Sequence, residues 1–164
     1  MGGDAPDEPL TPASAYYLTA YENFRGADGL FRKYRMIFVD RQPIPYHLAI
    51  SPSWMVHYES SGMDLHPDRL AEEMRFLEDP ATALGAEAMA AVTEIGAAMD
   101  LDYAGIDFSL LPDGRVLLFE ANATMLAHPE NPDGPLAHKN PHVARILAAF
   151  RAMLAGGGAA DESG

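Results

Sequence analysis

The sequence predicts an α+β domain in which helices pack on one face of an antiparallel sheet. Short β-prone segments separated by turn residues fill the first fifty positions, and stretches with helical spacing of apolar residues follow. A second pair of β-prone segments lies at 103–111 and 116–121, and a last helical stretch lies at 141–154. Strands, then helices, then a hairpin and a final helix form an order typical of α+β folds.

The first strands are expected at 16–24, 30–39 and 46–50. A turn at 25–29, rich in Gly and Asp, separates the first two, and Pro43 and Pro45 precede the third. These segments predict a meander of short antiparallel strands. Residues 1–15 and 155–164 are expected to be loose tails on either side of a single domain at 16–154.

The helices are expected at about 66–77, from Pro80 to Met99, and at 141–154. Pro80 suits the first turn of a helix, where its missing N–H costs no hydrogen bond. Apolar residues with helical spacing support the last two helices. In the second helix they are Leu84, Ala88, Ala91, Val92, Ile95 and Met99, and in the last they are Val143, Ile146, Leu147, Phe150 and Leu154.

Composition excludes several classes of function. The net charge of −13 argues against nucleic-acid binding, which depends on Lys and Arg neutralising phosphates. The sequence contains no apolar run long enough to span a membrane, no signal peptide and no cysteine, so a cytoplasmic location is expected. Five of the eleven basic residues nevertheless fall within 25–41, which fits either a charged strand edge or a patch for a small polyanion such as a nucleotide.

The hairpin at 103–121 carries the residues of greatest chemical interest. Glu120 and Asn122 share a sheet face, because side chains alternate along a strand. A loop of two or four residues places Asp107 directly across from Glu120, whereas a three-residue loop places it across from Phe119. Pro112 disfavours the tightest loop, so a four-residue loop is expected.

Two carboxylates that face each other among apolar neighbours repel and are costly to desolvate. A cation between Asp107 and Glu120 removes both costs, and Asp, Glu and Asn oxygens are hard ligands of the kind that Mg²⁺ takes. The alternative is that both acids lie at the sheet rim and contact water.

Several segments together resemble a known family. Asp107, followed thirteen positions later by Glu120 in Phe-Glu-Ala-Asn-Ala-Thr, is similar to the metal signature of the ATP-grasp superfamily. The upstream segments at 31–35, 46–51, 54–58 and 101–107 resemble one branch, the ATP-grasp domains at the end of large bacterial proteins with tetratricopeptide repeats. The likeness runs from about Tyr16 to Leu154. It implies the C-terminal subdomain of an ATP-grasp fold.

The resemblance also implies roles for individual residues. Asp107 and Asn122 each bind one of two Mg²⁺ (or Mn²⁺) ions that bridge the ATP phosphates, and Glu120 binds both. Arg35 matches a strand arginine that approaches the phosphates, unless it is simply a solvated strand charge. The backbone at about Ala20 and Glu22 meets the adenine edge, and His47 lies near the phosphates.

Departures from the family leave two functions open. The lid subdomain, whose lysines hold the α- and β-phosphates, is not recognisable here, and Gly105 stands where some ligases have an arginine. One hypothesis is the ATP-binding half of a carboxylate–amine ligase, which becomes an enzyme when N-terminal subdomains complete it. The other is a non-catalytic nucleotide- and metal-binding module. A partner carrying the missing half, or a homodimer through the apolar residues Tyr17, Leu18, Tyr21 and Phe24, is expected to cover the open surface.

Overall fold

The computed structural model describes residues 19–157 as a four-stranded antiparallel sheet with four helices. The sheet order is β2-β1-β3-β4, and the α+β class is confirmed. The strands are β1 (Phe31–Val39), β2 (Gln42–Ser51), β3 (Tyr103–Leu110) and β4 (Val116–Asn122). The helices are α1 (Pro67–Glu78), α2 (Pro80–Leu84), α3 (Ala86–Met99) and α4 (Asn140–Gly157).

Three helices cover one face of the sheet, here called the helical face. Alternate residues of the strands, among them Met36, Phe38 and Ile106, are fully buried on this side. They form the main core with apolar residues of α1, α2 and α3, including Phe76, Leu84 and Val92. These contacts bury the helical face of the sheet.

The fourth helix packs on the opposite face, here called the site face, so the prediction of helices on one face only is wrong. Val143 and Ile146 of α4 are buried against Ile37 and Val39, which alternate with the core residues of β1. This helix covers only one end of the site face. Leu154, predicted on the same face of this helix, has a side chain that is 59% exposed.

Irregular chain covers the other end of the site face. The strand predicted at 16–24 is wrong for its described part, because residues 19–24 have no regular structure. Phe24 instead packs into an apolar cluster with Phe31 and Val56. Tyr17 and Leu18 lie outside the described residues, Phe24 is buried and Tyr21 is exposed. The homodimer stays a prediction.

Two further boundaries differ from expectation for local reasons. Pro43 and Pro45 lie inside β2 and not before it, because β2 is an edge strand where missing N–H groups are tolerated. The helix expected from Pro80 to Met99 is interrupted at Gly85, whose φ of 85° is a conformation that glycine adopts readily.

In the described part of the chain, no helix has both the length and the apolar character needed to cross a membrane.

Candidate metal and phosphate site

A row of four polar side chains crosses the site face, with one residue from each strand. His47 of β2 pairs with Arg35 of β1, Arg35 pairs with Asp107 of β3, and Asp107 pairs with Glu120 of β4. Directly paired residues project from the same face of a sheet. The structure thus brings together four of the predicted site residues, here called the polar row.

Asp107 is the electrostatic centre of the polar row. Its carboxylate is almost completely buried and accepts hydrogen bonds from Arg35, at 2.6 Å from Nε and 2.9 Å from Nη2. Lys33 Nζ lies 3.1 Å from the Oδ2 atom of the same carboxylate. Burial raises the pKa of Asp107, but the hydrogen bonds and charges of Arg35 and Lys33 outweigh it and the net pKa is lowered.

These contacts change the expected electrostatics of the hairpin. The two facing acids were predicted to be strained without a metal. In the structure Asp107 is neutralised by two cations, and Glu120 is exposed to solvent. The cations beside Asp107 and the solvent around Glu120 therefore reduce the repulsion between the paired acids.

Asn122 lies two residues beyond Glu120 on the same strand. Its Nδ2 donates to Glu120 Oε1 at 3.2 Å, and its Oδ1 accepts from the backbone N and the hydroxyl of Thr124, both at 2.8 Å. These bonds orient the Asn122 side chain beside Glu120. They also occupy the amide oxygen that a metal would use.

The predicted pairing of Asp107 with Glu120 is confirmed, but the loop prediction is wrong. Leu110 pairs with Val116, and Leu111 N donates to Arg115 O, which is the register of an odd-numbered loop. That register alone would pair Asp107 with Phe119. A β-bulge shifts β4 by one residue, and Phe119 is the extra residue.

A second bulge borders the polar row at its opposite end. Arg35 pairs with His47 and Met36 pairs with Pro45, which leaves Tyr46 as the extra residue of β2. Tyr46 and His47 consequently both face the site side, where they line the same cavity. Bulges are frequent beside functional sites because they redirect side chains.

His47 is the most enclosed titratable group of the polar row. Its imidazole is 5% exposed and stacks on the Tyr58 ring at a centroid distance of 4.6 Å. Its Nε2 atom has no hydrogen-bond partner among the described residues. Burial is the main cause that lowers the pKa of His47 well below its usual value, and the charges of Arg35, Lys139, Lys33 and His128 lower it further.

A cavity of about 600 Å³ opens beside the polar row and is here called the tyrosine cavity. Its wall contains Lys139, which is 1% exposed and pairs with Glu130 at 2.6 Å. The ammonium of Lys139 also lies 4.2 Å from the Tyr58 ring centroid and 5.0 Å from that of Tyr46. A buried lysine held in this way has a fixed position and a balanced charge.

Buried Glu73 of α1 holds the wall of the tyrosine cavity in place. Its carboxylate accepts from Leu48 N at 3.1 Å and from the Tyr58 hydroxyl at 2.9 Å. His138 Nε2 lies 2.9 Å from the same carboxylate. This single side chain therefore ties together β2, the segment that carries Tyr58, and the residues just before α4.

Several of these residues had not been predicted as part of the site. Lys33 was detectable, because it precedes Arg35 by two positions on a strand and therefore shares its face. Lys139, Tyr58 and Glu73 were not, since they reach the site from distant segments whose packing no local pattern encodes. His57 and His128 line the same cavity.

Other predicted site residues lie apart from the polar row. Ala20 and Glu22 are exposed in the irregular segment, and neither is a hydrogen-bonding or ion-pair partner of the row within residues 19–157.

Gly105 has no room for a side chain, because a Cβ there would come 2.6 Å from the Met125 side chain. Close packing thus explains the glycine at that position.

Three residues of the hairpin offer the donor type that suits Mg²⁺. Asp107, Glu120 and Asn122 offer hard oxygen ligands from one sheet face. Within residues 19–157 no three His, Asp or Glu side chains gather as a metal-binding group, so the set depends on the amide oxygen of Asn122. To bind a metal, Asp107 must give up its contacts with Arg35 and Lys33. Asn122 must likewise give up its contacts with Thr124.

Comparisons of this chain with protein-family models, with curated proteins and with solved structures gave no match.

Proposed function

We propose that this chain binds Mg²⁺ and the phosphates of ATP as one half of an ATP-grasp-type carboxylate–amine ligase in the cytoplasm. The observation that carries the proposal is the polar row, in which Arg35, Asp107 and Glu120 from three neighbouring strands face one side of the sheet. The resemblance of the hairpin and upstream segments to the ATP-grasp superfamily supports the choice of ligand. The proposal includes Ala20 and Glu22 as backbone contacts to adenine.

The electrostatics of the row suit a metal–triphosphate complex. Arg35 and Lys33 hold positive charge at a carboxylate that is itself a metal ligand in the proposal. Phosphate oxygens accept hydrogen bonds from guanidinium and ammonium groups. When Arg35 and Lys33 bond to phosphate instead of to Asp107, that carboxylate becomes free to bind the metal. Magnesium, when bound, supplies charge neutralisation for the transferring phosphoryl group.

In the complete enzyme, ATP activates a carboxylate before an amine attacks. A carboxylate oxygen bonds to the γ-phosphorus, the bond from that phosphorus to the β–γ bridging oxygen breaks, and ADP leaves. The amine nitrogen then bonds to the acyl carbon, phosphate leaves, and the nitrogen loses a proton. Arg35 is proposed as the catalytic residue, because it can stabilise charge on the transferring phosphoryl group.

An alternative function is a nucleotide- and metal-binding module without catalysis. The observation that favours it is that Arg35 and Lys33 already balance the charge of Asp107. In such a site Arg35 and Lys33 can release the Asp107 carboxylate and bind a phosphate in its place. Binding of the polyanion would then depend little on a metal. ATP binding that is equally strong with and without Mg²⁺ would favour the module over the ligase.

The test is a titration of the chain with ATP, followed by protein NMR, in excess Mg²⁺ and again in a chelator. Residues 19–157 supply few groups that hold phosphate, so a Kd on the order of 0.1–1 mM is expected with Mg²⁺. Glu120→Gln should weaken this binding at least about tenfold. Glu87→Gln, an exposed acid on α3, is the matched control and should leave it unchanged. Equal affinities for Glu120→Gln and the wild type would overturn the proposed site.

A further inference from the structure

We infer that a second cavity, on the helical face of the sheet, binds a small aliphatic amine in its ammonium form. This cavity has a volume of about 450 Å³ and lies between α1, α2 and the strands beneath them, and it is here called the α1–α2 cavity. It is on the opposite side of the sheet from the polar row. The inference therefore does not depend on the proposed function.

The hydroxyl of Tyr34 is the polar group at the base of the α1–α2 cavity. Tyr34 is only 6% exposed, and its ring is held by Phe76 and Phe108 at centroid distances of 5.0 and 5.4 Å. The hydroxyl has no hydrogen-bond partner among residues 19–157. It is nevertheless not one of the four side-chain atoms there that are both unpartnered and closed to solvent, so it keeps access to the cavity. A largely buried polar group without a partner gains from a ligand that bonds to it.

Glu72 of α1 lines the cavity near the Tyr34 hydroxyl. Burial raises the pKa of Tyr34 to about 12, and the charge of Glu72 adds to the rise while that of Arg32 opposes it. The hydroxyl is therefore neutral and close to a carboxylate. Arg32 gives one hydrogen bond to each Glu72 oxygen, and each oxygen retains a second lone pair. Tyr34 and Glu72 thus offer acceptors to a ligand that carries several N–H donors.

The rim of the cavity carries more negative than positive charge. Glu78 and Asp79 are exposed there, and neither forms an ion pair within residues 19–157. Asp79 accepts only from the backbone N and the hydroxyl of Thr82, which are uncharged. Arg75 alone is cationic among the described residues that line the cavity. The lining therefore attracts a cation more than an anion.

The size of the cavity and its apolar surface indicate a short ligand. Its volume lies at the lower end of the range for small-molecule sites. Ala83 and the aliphatic stems of Arg75 and Glu78 offer apolar contacts at the rim. A primary ammonium group has three donors, enough to bond to Tyr34 Oη and Glu72 together. A short alkyl chain on that group would lie against the rim.

The experiment is an NMR titration of isotope-labelled protein with n-butylammonium, 1-butanol and butyrate, three probes of similar length that differ in charge. n-Butylammonium should shift the Tyr34 ring and Thr82 amide resonances with a Kd on the order of 1–10 mM. 1-Butanol and butyrate should bind at least about tenfold more weakly, because hydrogen bonds from a charged donor are the stronger ones. No saturable shift with n-butylammonium, or equal or tighter binding of either other probe, would overturn the inference.

Two pairs of variants locate the ammonium group. Tyr34→Phe keeps the ring and removes only an unpartnered hydroxyl, so it should fold and should weaken n-butylammonium binding at least about fivefold. Tyr21→Phe, at an exposed tyrosine outside the cavity, is its control and should leave the affinity unchanged. Glu78→Gln should weaken binding about twofold, whereas Glu94→Gln, an exposed acid on α3, should not. Wild-type affinity in Tyr34→Phe, or equal losses in Glu78→Gln and Glu94→Gln, would contradict an ammonium site in this cavity.

Discussion

Asp107 lies directly across from Glu120 because a bulge at Phe119 corrects the register of the hairpin. The turn between β3 and β4 sets an odd-numbered register, which by itself would place Asp107 opposite Phe119. One extra residue on β4 moves Glu120 into that place. The Phe119 ring packs on the Phe24 ring at a centroid distance of 5.0 Å.

This geometry predicts the effect of removing the bulge. Deletion of Phe119 should leave a regular ladder in which Asp107 still faces Glu120, because the turn register then continues unbroken. The variant should fold, and Mg²⁺ should still raise its melting temperature in a thermal unfolding experiment. Phe119→Ala is the control that keeps the bulge but loses the ring contact with Phe24, worth about 0.5–1.5 kcal/mol. If the deletion loses the metal response while Phe119→Ala keeps it, the bulge itself orients Glu120.

Metal binding should raise the melting temperature of the chain. A ligand that binds only the native state adds about 1.4 kcal/mol at ten times its Kd, or roughly 4 °C for a domain of this size. Glu120→Gln should reduce this gain from Mg²⁺ or Mn²⁺, while Glu87→Gln should keep it. An unchanged metal response in Glu120→Gln would place the metal elsewhere on the protein.

Stability should fall as the pH drops below about 6.5 because of His47. Its pKa is lowered in the native state, so the unfolded chain binds a proton that the native chain does not. The free energy of unfolding should therefore fall by about 1.4 kcal/mol per pH unit between the usual pKa and the native one. Asp107, whose pKa is lowered from 3.8, adds a further loss only below about pH 4.

The variant His47→Gln tests this in urea melts between pH 5 and pH 7. The variant should reduce the dependence of the unfolding free energy on pH but not abolish it, because burial also lowers the pKa of His142. His57→Gln controls for the loss of one imidazole from the same cavity. A wild-type slope in His47→Gln would show that another group carries the pH dependence.

The buried Glu73 should contribute strongly to stability. Glu73→Ala removes the shared acceptor of the buried Leu48 N–H and of the half-buried Tyr58 hydroxyl and His138, and a buried unsatisfied group costs about 1–3 kcal/mol. Urea unfolding should therefore show a loss of about 3 kcal/mol or more. Glu78→Ala, which removes an exposed acid from the same helix, should cost less than about 1 kcal/mol. Similar losses in the two variants would mean that the Glu73 network adds little.

Alternation and spacing were sufficient to predict much of the sheet and the shared face of Glu120 and Asn122, whereas the role of Arg35 was predicted from the family resemblance. Strands β1, β3 and β4 lie within two residues of their predicted bounds, and the pairing of Asp107 with Glu120 is confirmed. That pairing was predicted through a four-residue loop, whereas the structure reaches it through a bulge. Bulges depend on how neighbouring strands twist and pack, which the pattern of one strand does not reveal.

The parts that could not be predicted depend on contacts between distant segments. The segment at 19–24 is β-prone, but Phe24 packs into a cluster and the chain forms only one isolated bridge, at Arg25. The position of α4 on the site face depends on the fit of Val143 and Ile146 against Ile37. Likewise, Lys139 joins the cavity through Glu130 and two tyrosine rings, and nothing near it in the sequence indicates that role.

The most direct test of the metal and phosphate site is anomalous diffraction from crystals grown with Mn²⁺ and a non-hydrolysable ATP analogue. The proposed site predicts a manganese peak within ligand distance of Asp107, Glu120 and Asn122, with analogue phosphates against Arg35. Magnesium in the same place should lie about 2.1 Å from its oxygen ligands. A manganese peak away from these three residues, or analogue phosphates bound without any metal at the row, would contradict it.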